Sequence, residues 1–313
     1  QSVDREVQLV EETAVPLVWG RVAKVAAESL VRMARVNSPK LSYFPRRNRS
    51  LLWQFAKRDV LGRYRGSVLG LAWSFLTPLL MLGVYSFVFV GVFRASWPGT
   101  AKAGGLEFAL QVFAGLLVFN WFAEVAGRAP RLIVDQPNLV KKVIFPVELL
   151  AWVAVLSGLF HLLISVATLL LVLLIARDSF PITAFALPVV LLPFLPVLLG
   201  FGWFLSALGV FVRDVGAMMT MVVNLAMFMS PVFYSVTSLS PEWQFWMNLN
   251  PLTVIIEQVR AVLLLGQWPD WSVLGLYGLF ACVFASAAAT FFQLTRKGFA
   301  VTTFTNPREA LAA

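Results

Sequence analysis

The sequence predicts an all-α integral membrane protein, and three observations carry that expectation. Of 313 residues, 59% are hydrophobic and 13% charged, with a mean hydropathy of +0.80. A soluble chain carries about 25% charged residues, so this one has too few to coat a water-facing surface. Long stretches also lack Asp, Glu, Lys and Arg altogether, and the basic residues are confined to particular segments. The single cysteine excludes an intrachain disulfide, and with the single histidine it excludes the usual zinc clusters.

Residues 1–48 form an N-terminal cytoplasmic extension. Within it, Leu17 to Val36 places Val18, Val22, Val25, Ala26, Ser29, Met33 and Val36 on one helical face, with Arg21, Lys24, Arg32 and Arg35 on the rest. Such a basic amphipathic segment suits an anionic membrane surface, and equally an ordinary solvated helix or leader. The apolar run Ala14–Trp19 is too short for a cleavable signal and follows acidic residues. Residues 49–66 contain a second amphipathic helix. Leu52, Phe55, Ala56, Val60 and Tyr64 share a face, surrounded by Lys57, Arg58, Asp59, Arg63 and Arg65. It runs directly into the first apolar segment, so it is expected to lie in the membrane interface.

Residues 67–295 are expected to hold six crossings. Gly66–Phe93, Leu149–Ala176, Ser179–Val212, Val215–Pro241 and Trp271–Thr295 are free of charge, and each exceeds the ~20 residues that span ~30 Å of hydrocarbon. Phe108–Ala123 is shorter but is flanked by Glu107 and Glu124. Pro181, Pro188, Pro193 and Pro196 should bend the fourth crossing or start it irregularly. Before the last crossing, Trp243–Ile256 is too short to cross and predicts short re-entrant helices on the outer side, where Glu257 and Arg260 can pair three residues apart. Residues 296–313 are a cytoplasmic tail.

With both termini inside, cytoplasmic segments hold 21 of the 25 Lys and Arg, and only Arg94, Lys102, Arg177 and Arg260 lie outside. That split follows the positive-inside rule. The net charge of +9 is therefore a topology signal, and nucleic acid is not an expected partner. Between the second and third crossings, Pro130 can open one short helix and Asn138 can cap another, giving a basic docking element rather than a plain loop.

Catalytic chemistry is not visible. No Gly-Lys dipeptide occurs, so no Walker-type phosphate loop is present in this sequence. His161 reads as a mid-span packing donor and Cys282 as a small apolar packer. The acidic residues form no metal-holding pair, and no catalytic or metal site is expected. Aromatic stripes remain. Trp73, Thr77, Met81, Tyr85 and Phe89 follow one i, i+4 ridge, and Thr220, Asn224 and Phe228 follow another. Rings interleaved with hydroxyl and amide groups suit a sugar lining a pore, although lipid-facing stripes look the same in a chain that is 14% aromatic.

The run from Lys57 through Arg63-Tyr64-Arg65-Gly66-Ser67 to Leu69-Gly70, Trp73 and Pro78 resembles the lead-in motif of ABC-2-type polysaccharide exporter membrane subunits, the O-antigen type among them. Asn138-Leu139-Val140-Lys141-Lys142 with Phe145-Pro146, Val212-Arg213-Asp214, Ser230-Pro231-Val232, and Asn250-Pro251-Leu252 with Arg260 are further matches, over roughly residues 50–300. The resemblance implies a multi-pass permease of the bacterial inner membrane. It implies a homodimer with two copies of a cytoplasmic ABC ATPase, which binds the ATP and Mg, so this chain needs no cofactor of its own. The cargo would be a polysaccharide on an undecaprenyl pyrophosphate lipid. Arg63, Tyr64 and Arg65 would then meet the pyrophosphate, Asn138 to Lys142 would couple to the ATPase, and Trp243, Trp246, Glu257 and Arg260 would form an outer gate. A permease for capsule, teichoic acid or a drug is the rival in the same fold. A membrane glycosyltransferase or lipid-modifying enzyme, or a small channel, is the rival outside it.

Overall fold

The computed structural model describes residues 48–92, 97, 105–136, 146–177 and 181–304. The amphipathic stretch Leu17–Val36 and the expected docking residues Asn138–Lys142 lie outside the described residues. Everything regular that is described is helical.

Helix α1, Arg49–Tyr64, buries Leu52, Ala56 and Val60, the i, i+4 face predicted from the sequence. It packs along α4, Leu149–Arg177. Two glycines with positive φ, Gly66 at 87° and Gly70 at 50°, turn the chain from α1 into α2, a backbone conformation that side-chain-bearing residues rarely adopt. Helix α2, Ala72–Tyr85, contains Pro78 and continues as a π-helical segment, Ser86–Val92.

Helix α3, Gly105–Arg128, is the spine. Of its apolar window 83% is buried, against 11% for α2. It contacts α4, the π segment and the later helices, and its end runs into a short 3-10 turn, Ala129–Arg131, opened by Pro130.

The four prolines after α4 produce the irregular start that their spacing predicts. A 3-10 turn at Ile182–Ala186 leads to α5, Leu187–Leu191, and then to α6, Phe194–Phe211. The Thr183 hydroxyl donates to Val262 O at 2.6 Å and ties this turn to a later helix. Helix α7 follows at Val215–Met229, α8 at Pro241–Leu249, α9 at Pro251–Leu263 and α10 at Trp271–Phe304. Asn250 caps α9 by accepting from Leu252 N at 2.9 Å, with Pro251 at the first helical position where its missing N–H costs nothing. Helix α10 lies along α6 and runs on to Phe304 rather than stopping at Thr295.

Five helices among the described residues are long and apolar enough to cross a membrane. The expected count was six. The segment that differs is 215–241, where α7 ends after 15 residues and reaches only ~22 Å at 1.5 Å per residue. Pro231 explains the stop: it disfavours helix at the residue before it, and Ser230 is extended with ψ 151°.

Close packing depends on a few glycines. A Cβ on Gly209 of α6 would stand 2.1 Å from the carbonyl oxygen of Pro130. Backbone cannot yield as a side-chain tip can, so Gly209→Ala should lower stability by at least the ~1–3 kcal/mol of ordinary overpacking. Gly275→Ala, with nothing within 4 Å of its Cβ, should leave the protein as stable as wild type or slightly more so. Thermal unfolding of the two purified variants checks the contrast.

Candidate functional site: a cavity closed by an ion-pair cluster

The end of α1 meets α3 and α4 in a cluster of charged groups. Asp59 accepts two bonds from Arg128 of α3, Nη1 to Oδ2 at 3.0 Å and Nη2 to Oδ1 at 2.6 Å. Glu124, one turn before Arg128, pairs with Arg63 of α1 through Oε1. Its other oxygen accepts from His161 Nδ1 of α4 at 3.0 Å. The Tyr64 hydroxyl lies 3.0 Å from His161 Nε2. A carboxylate can only accept, so a neutral imidazole carries its hydrogen on Nδ1 and takes the tyrosine hydrogen at Nε2. Arg63 and Asp59, at i, i+4, are 3.5 Å apart.

These bonds set the ionisation of α1. Burial raises the Asp59 carboxyl, but the hydrogen bonds from Arg128 and the charges of Arg128 and Arg63 outweigh it, and the pKa ends below the ordinary value. Burial raises the Tyr64 phenol, Arg63 opposes and Glu124 adds to the rise. Tyr64 thus keeps its hydrogen for His161.

Above this cluster lies a cavity of about 390 Å³ between α1, α2, α3 and α4, within the size range of ligand sites. Arg63 and Tyr64 line it from α1, and Trp73, Thr77, Met81 and Tyr85 from α2. Asn120 and Glu124 come from α3, and His161 and Ser165 from α4. Gly158 lets the wall close. A Cβ there would come within 2.6 Å of Trp121 Cδ1, and Trp121 donates its indole N–H to Val155 O at 3.0 Å.

Four of the five residues of the first aromatic stripe therefore share one cavity. Phe89 does not. It packs in a ring cluster with Tyr85, Phe108 and Phe233. The second stripe is elsewhere too. Thr220 lines a separate polar cavity of about 350 Å³ with Arg128, Arg131 and Asp135, while Asn224 and Phe228 are exposed on α7.

The three residues expected at a pyrophosphate also separate. Arg63 is occupied by Glu124 and Asp59 and faces the cavity. Arg65 lies on the other side of Tyr64, with Lys57 and Arg58, around an open concavity of about 750 Å³. Among the described residues none of these three cations has an acidic partner. The free positive charge is thus on the outer face of α1, and the charge beneath it is neutralised.

The outer-gate set divides as well. Trp243 and Trp246 are exposed on α8. Glu257 and Arg260 pair at 3.0 Å, but Arg260 is only 1% exposed. Its guanidinium donates to Gln111 O at 3.0 Å and Val232 O at 2.8 Å, and it lies 4.6 Å over the Trp97 ring. Gly115 leaves it room: a Cβ would be 2.9 Å from Nη2. Arg260 is a buried pin between α9 and α3.

Sequence reasoning passed over Asp59, Glu124 and Arg128 and read His161 as a mid-span packer. In the structure His161 lies at the level of α1, on the cavity wall. The available signal was the repeated acid-x-x-x-Arg spacing, Asp59 to Arg63 and Glu124 to Arg128. Those pairs read as local i, i+4 contacts, whereas the two-bond pair, Asp59 with Arg128, crosses between helices.

A helical chain with, among the described residues, five helices long and apolar enough to cross a membrane, an amphipathic helix ion-paired to them and a cavity between them is a multi-pass integral membrane protein. The family model of the ABC-2 type transporter matches residues 50–264, and the chain belongs to that family as a permease subunit. Among its relatives, an O-antigen export system permease protein RfbA from Myxococcus xanthus is 31% identical over 255 residues, covering 80% of this chain and 95% of that protein. A protein of the same name from Klebsiella pneumoniae is 24% identical over 218 residues, covering 69% of this chain and 81% of that one.

The lowered Asp59 pKa has a definite sign. A carboxyl that ionises more easily when folded stabilises the protein above its unfolded pKa of about 3.9 and loses that contribution as pH falls through the lower folded value. Asp59→Asn should therefore cost about 2 kcal/mol at neutral pH, in the range for hydrogen bonds to charged groups. The gap to wild type should close as the pH drops below about 3.9. Unfolding measured across acid pH in both proteins checks this.

Proposed function

We propose that this chain is the membrane half of an ATP-driven exporter that moves an O-antigen-like polysaccharide, carried on undecaprenyl pyrophosphate, across the bacterial inner membrane. The observation that carries this reading is the match over 95% of the length of a relative named as an O-antigen export permease, together with the family match. In this reading two copies pair and engage two cytoplasmic ABC ATPases, which bind and hydrolyse ATP. This subunit itself is non-catalytic. Both termini are cytoplasmic, as the 21 to 4 split of basic residues favours. Residues 1–48 form an extension, 49–66 the interface helix, 67–295 the transmembrane domain and 296–313 the tail. Asn138 to Lys142 contact the ATPase.

The anionic carrier is met by Lys57, Arg58 and Arg65, whose charges are uncommitted among the described residues, and not by Arg63. Charge-assisted bonds to phosphate are the strong ones. The rings and hydroxyls of Trp73, Thr77 and Tyr85 offer stacking faces and partners for a sugar. Trp243 and Trp246 stand at the outer end.

The experiment is ATP-dependent uptake of lipid-linked glycan into inverted vesicles containing this chain and its ATPase. Arg65→Gln combined with Arg58→Gln should reduce uptake at least tenfold while the permease and ATPase still co-purify. Unchanged uptake would remove these residues from carrier binding, and ATP-independent uptake would remove the exporter reading itself.

A further inference from the structure

Glu124 is shared by three partners. It holds Arg63 of α1, His161 of α4 and, at 3.5 Å, Arg128 of its own helix. Two carboxylates, Asp59 and Glu124, face two guanidiniums, Arg63 and Arg128, so the cluster is electrically balanced while the imidazole is neutral. Arg63 is the guanidinium that touches the imidazole. Its Nη1 stands 3.4 Å from His161 Nδ1, a contact that is tolerable beside a neutral ring and repulsive beside a charged one. Its other carboxylate, Asp59, is 3.5 Å away and already takes two bonds from Arg128.

We propose that this cluster is a proton-responsive latch: Glu124 holds Arg63 and the last turn of α1 when His161 is neutral, and when His161 is protonated the imidazolium keeps its bond to Glu124 and repels the adjacent guanidinium, so that Arg63 is released. The proton comes from water and binds Nε2. The Tyr64 hydroxyl, which donates to that nitrogen in the neutral state, turns to accept from it. The cluster passes from balanced to one net positive charge, and Arg63 is the cation free to leave because Arg128 stays on Asp59.

Imidazole is the side chain whose charge changes between about pH 5 and 8. The charged and titratable groups facing it are Arg63 and Tyr64 from α1, with Asp59 a turn behind, and Glu124 from α3, with Arg128 a turn behind. Helix α2 brings only neutral side chains to the same cavity, Trp73 and Thr77 among them. On α4 itself the neighbours are neutral, Phe160 and Ser165, whose hydroxyl donates to His161 O. His161 is the only histidine in the sequence, so a histidine-range response has one source. Arg63, Tyr64, Glu124 and His161 also line the cavity. Whatever stabilises one proton state at the cavity wall therefore biases the position of α1, and the reverse holds equally.

The latch concerns α1 alone and holds whatever the cargo is. Its test uses the full chain in lipid nanodiscs, with spin labels at Leu61→Cys on α1 and Leu174→Cys on α4, both exposed positions, in a Cys282→Ser background. Wild type should give one distance distribution at pH 7.5 and a second, longer component at pH 5.5. His161→Gln, which takes up no proton, should keep the pH 7.5 distribution at both values. Glu124→Gln should show the longer component at both. No longer component in wild type at pH 5.5, or an equal shift in His161→Gln, would overturn the latch, as would a Glu124→Gln protein that keeps the short distance throughout.

Discussion

The structure depends on how a charged helix is held against apolar ones. Helix α1 and the residue that follows it carry five charged residues between Lys57 and Arg65, and the helix has to lie against α3 and α4. Desolvating a lone charge there would cost several kcal/mol. The solution is mutual neutralisation, Asp59 with Arg128 and Arg63 with Glu124, extended by the imidazole of His161. With the inner face neutralised, the remaining cations, Lys57, Arg58 and Arg65, face outward. One helix thereby presents an electrically quiet underside and a positive outer side.

That docking fixes the rest in turn. Once α1 is seated, Gly66 and Gly70 direct the chain into α2, and the ridge from Trp73 to Tyr85 closes over the cavity floor formed by Glu124 and His161. Helix α3 carries the acidic and basic partners at one end and, a few turns away, accepts Arg260 at Gln111 O beside Gly115. A single buried helix is thus tied to α1 at one end and to the short helix α9 at the other. Rigid tethers at both ends of a spine are a physical means for a motion at one to be felt at the other.

Much of this was legible in the sequence. The amphipathic face of α1, the proline-broken start of α6 and the Glu257–Arg260 pair all follow from local spacing. The ring stripe through Tyr85 also emerged as one surface. What local spacing could not give was pairing between helices. Asp59 and Glu124 each have an arginine four residues on, so a reader of one helix sees two self-contained pairs, whereas the bonds cross from α1 to α3. His161 looks like a packing residue because nothing near it in sequence is charged. Its partners come from 37 and 97 residues away. The enclosure of Arg260 by Trp97, Gly115 and Val232 is likewise a tertiary fact. The helix stop before Pro231 also went unseen, because residues 215–241 carry no charge to mark it.

The claim on which these relations rest is that Asp59 and Arg128 act as one unit in docking α1. A double-mutant cycle measures it directly, with Asp59→Asn, Arg128→Gln and the double variant unfolded under identical conditions at neutral pH. The account predicts that the double variant loses much less stability than the sum of the single losses, with an interaction term above about 1 kcal/mol, because each single change strands a partly buried charge. Single losses that add to within about 0.3–0.5 kcal/mol, as independent sites do, would contradict it.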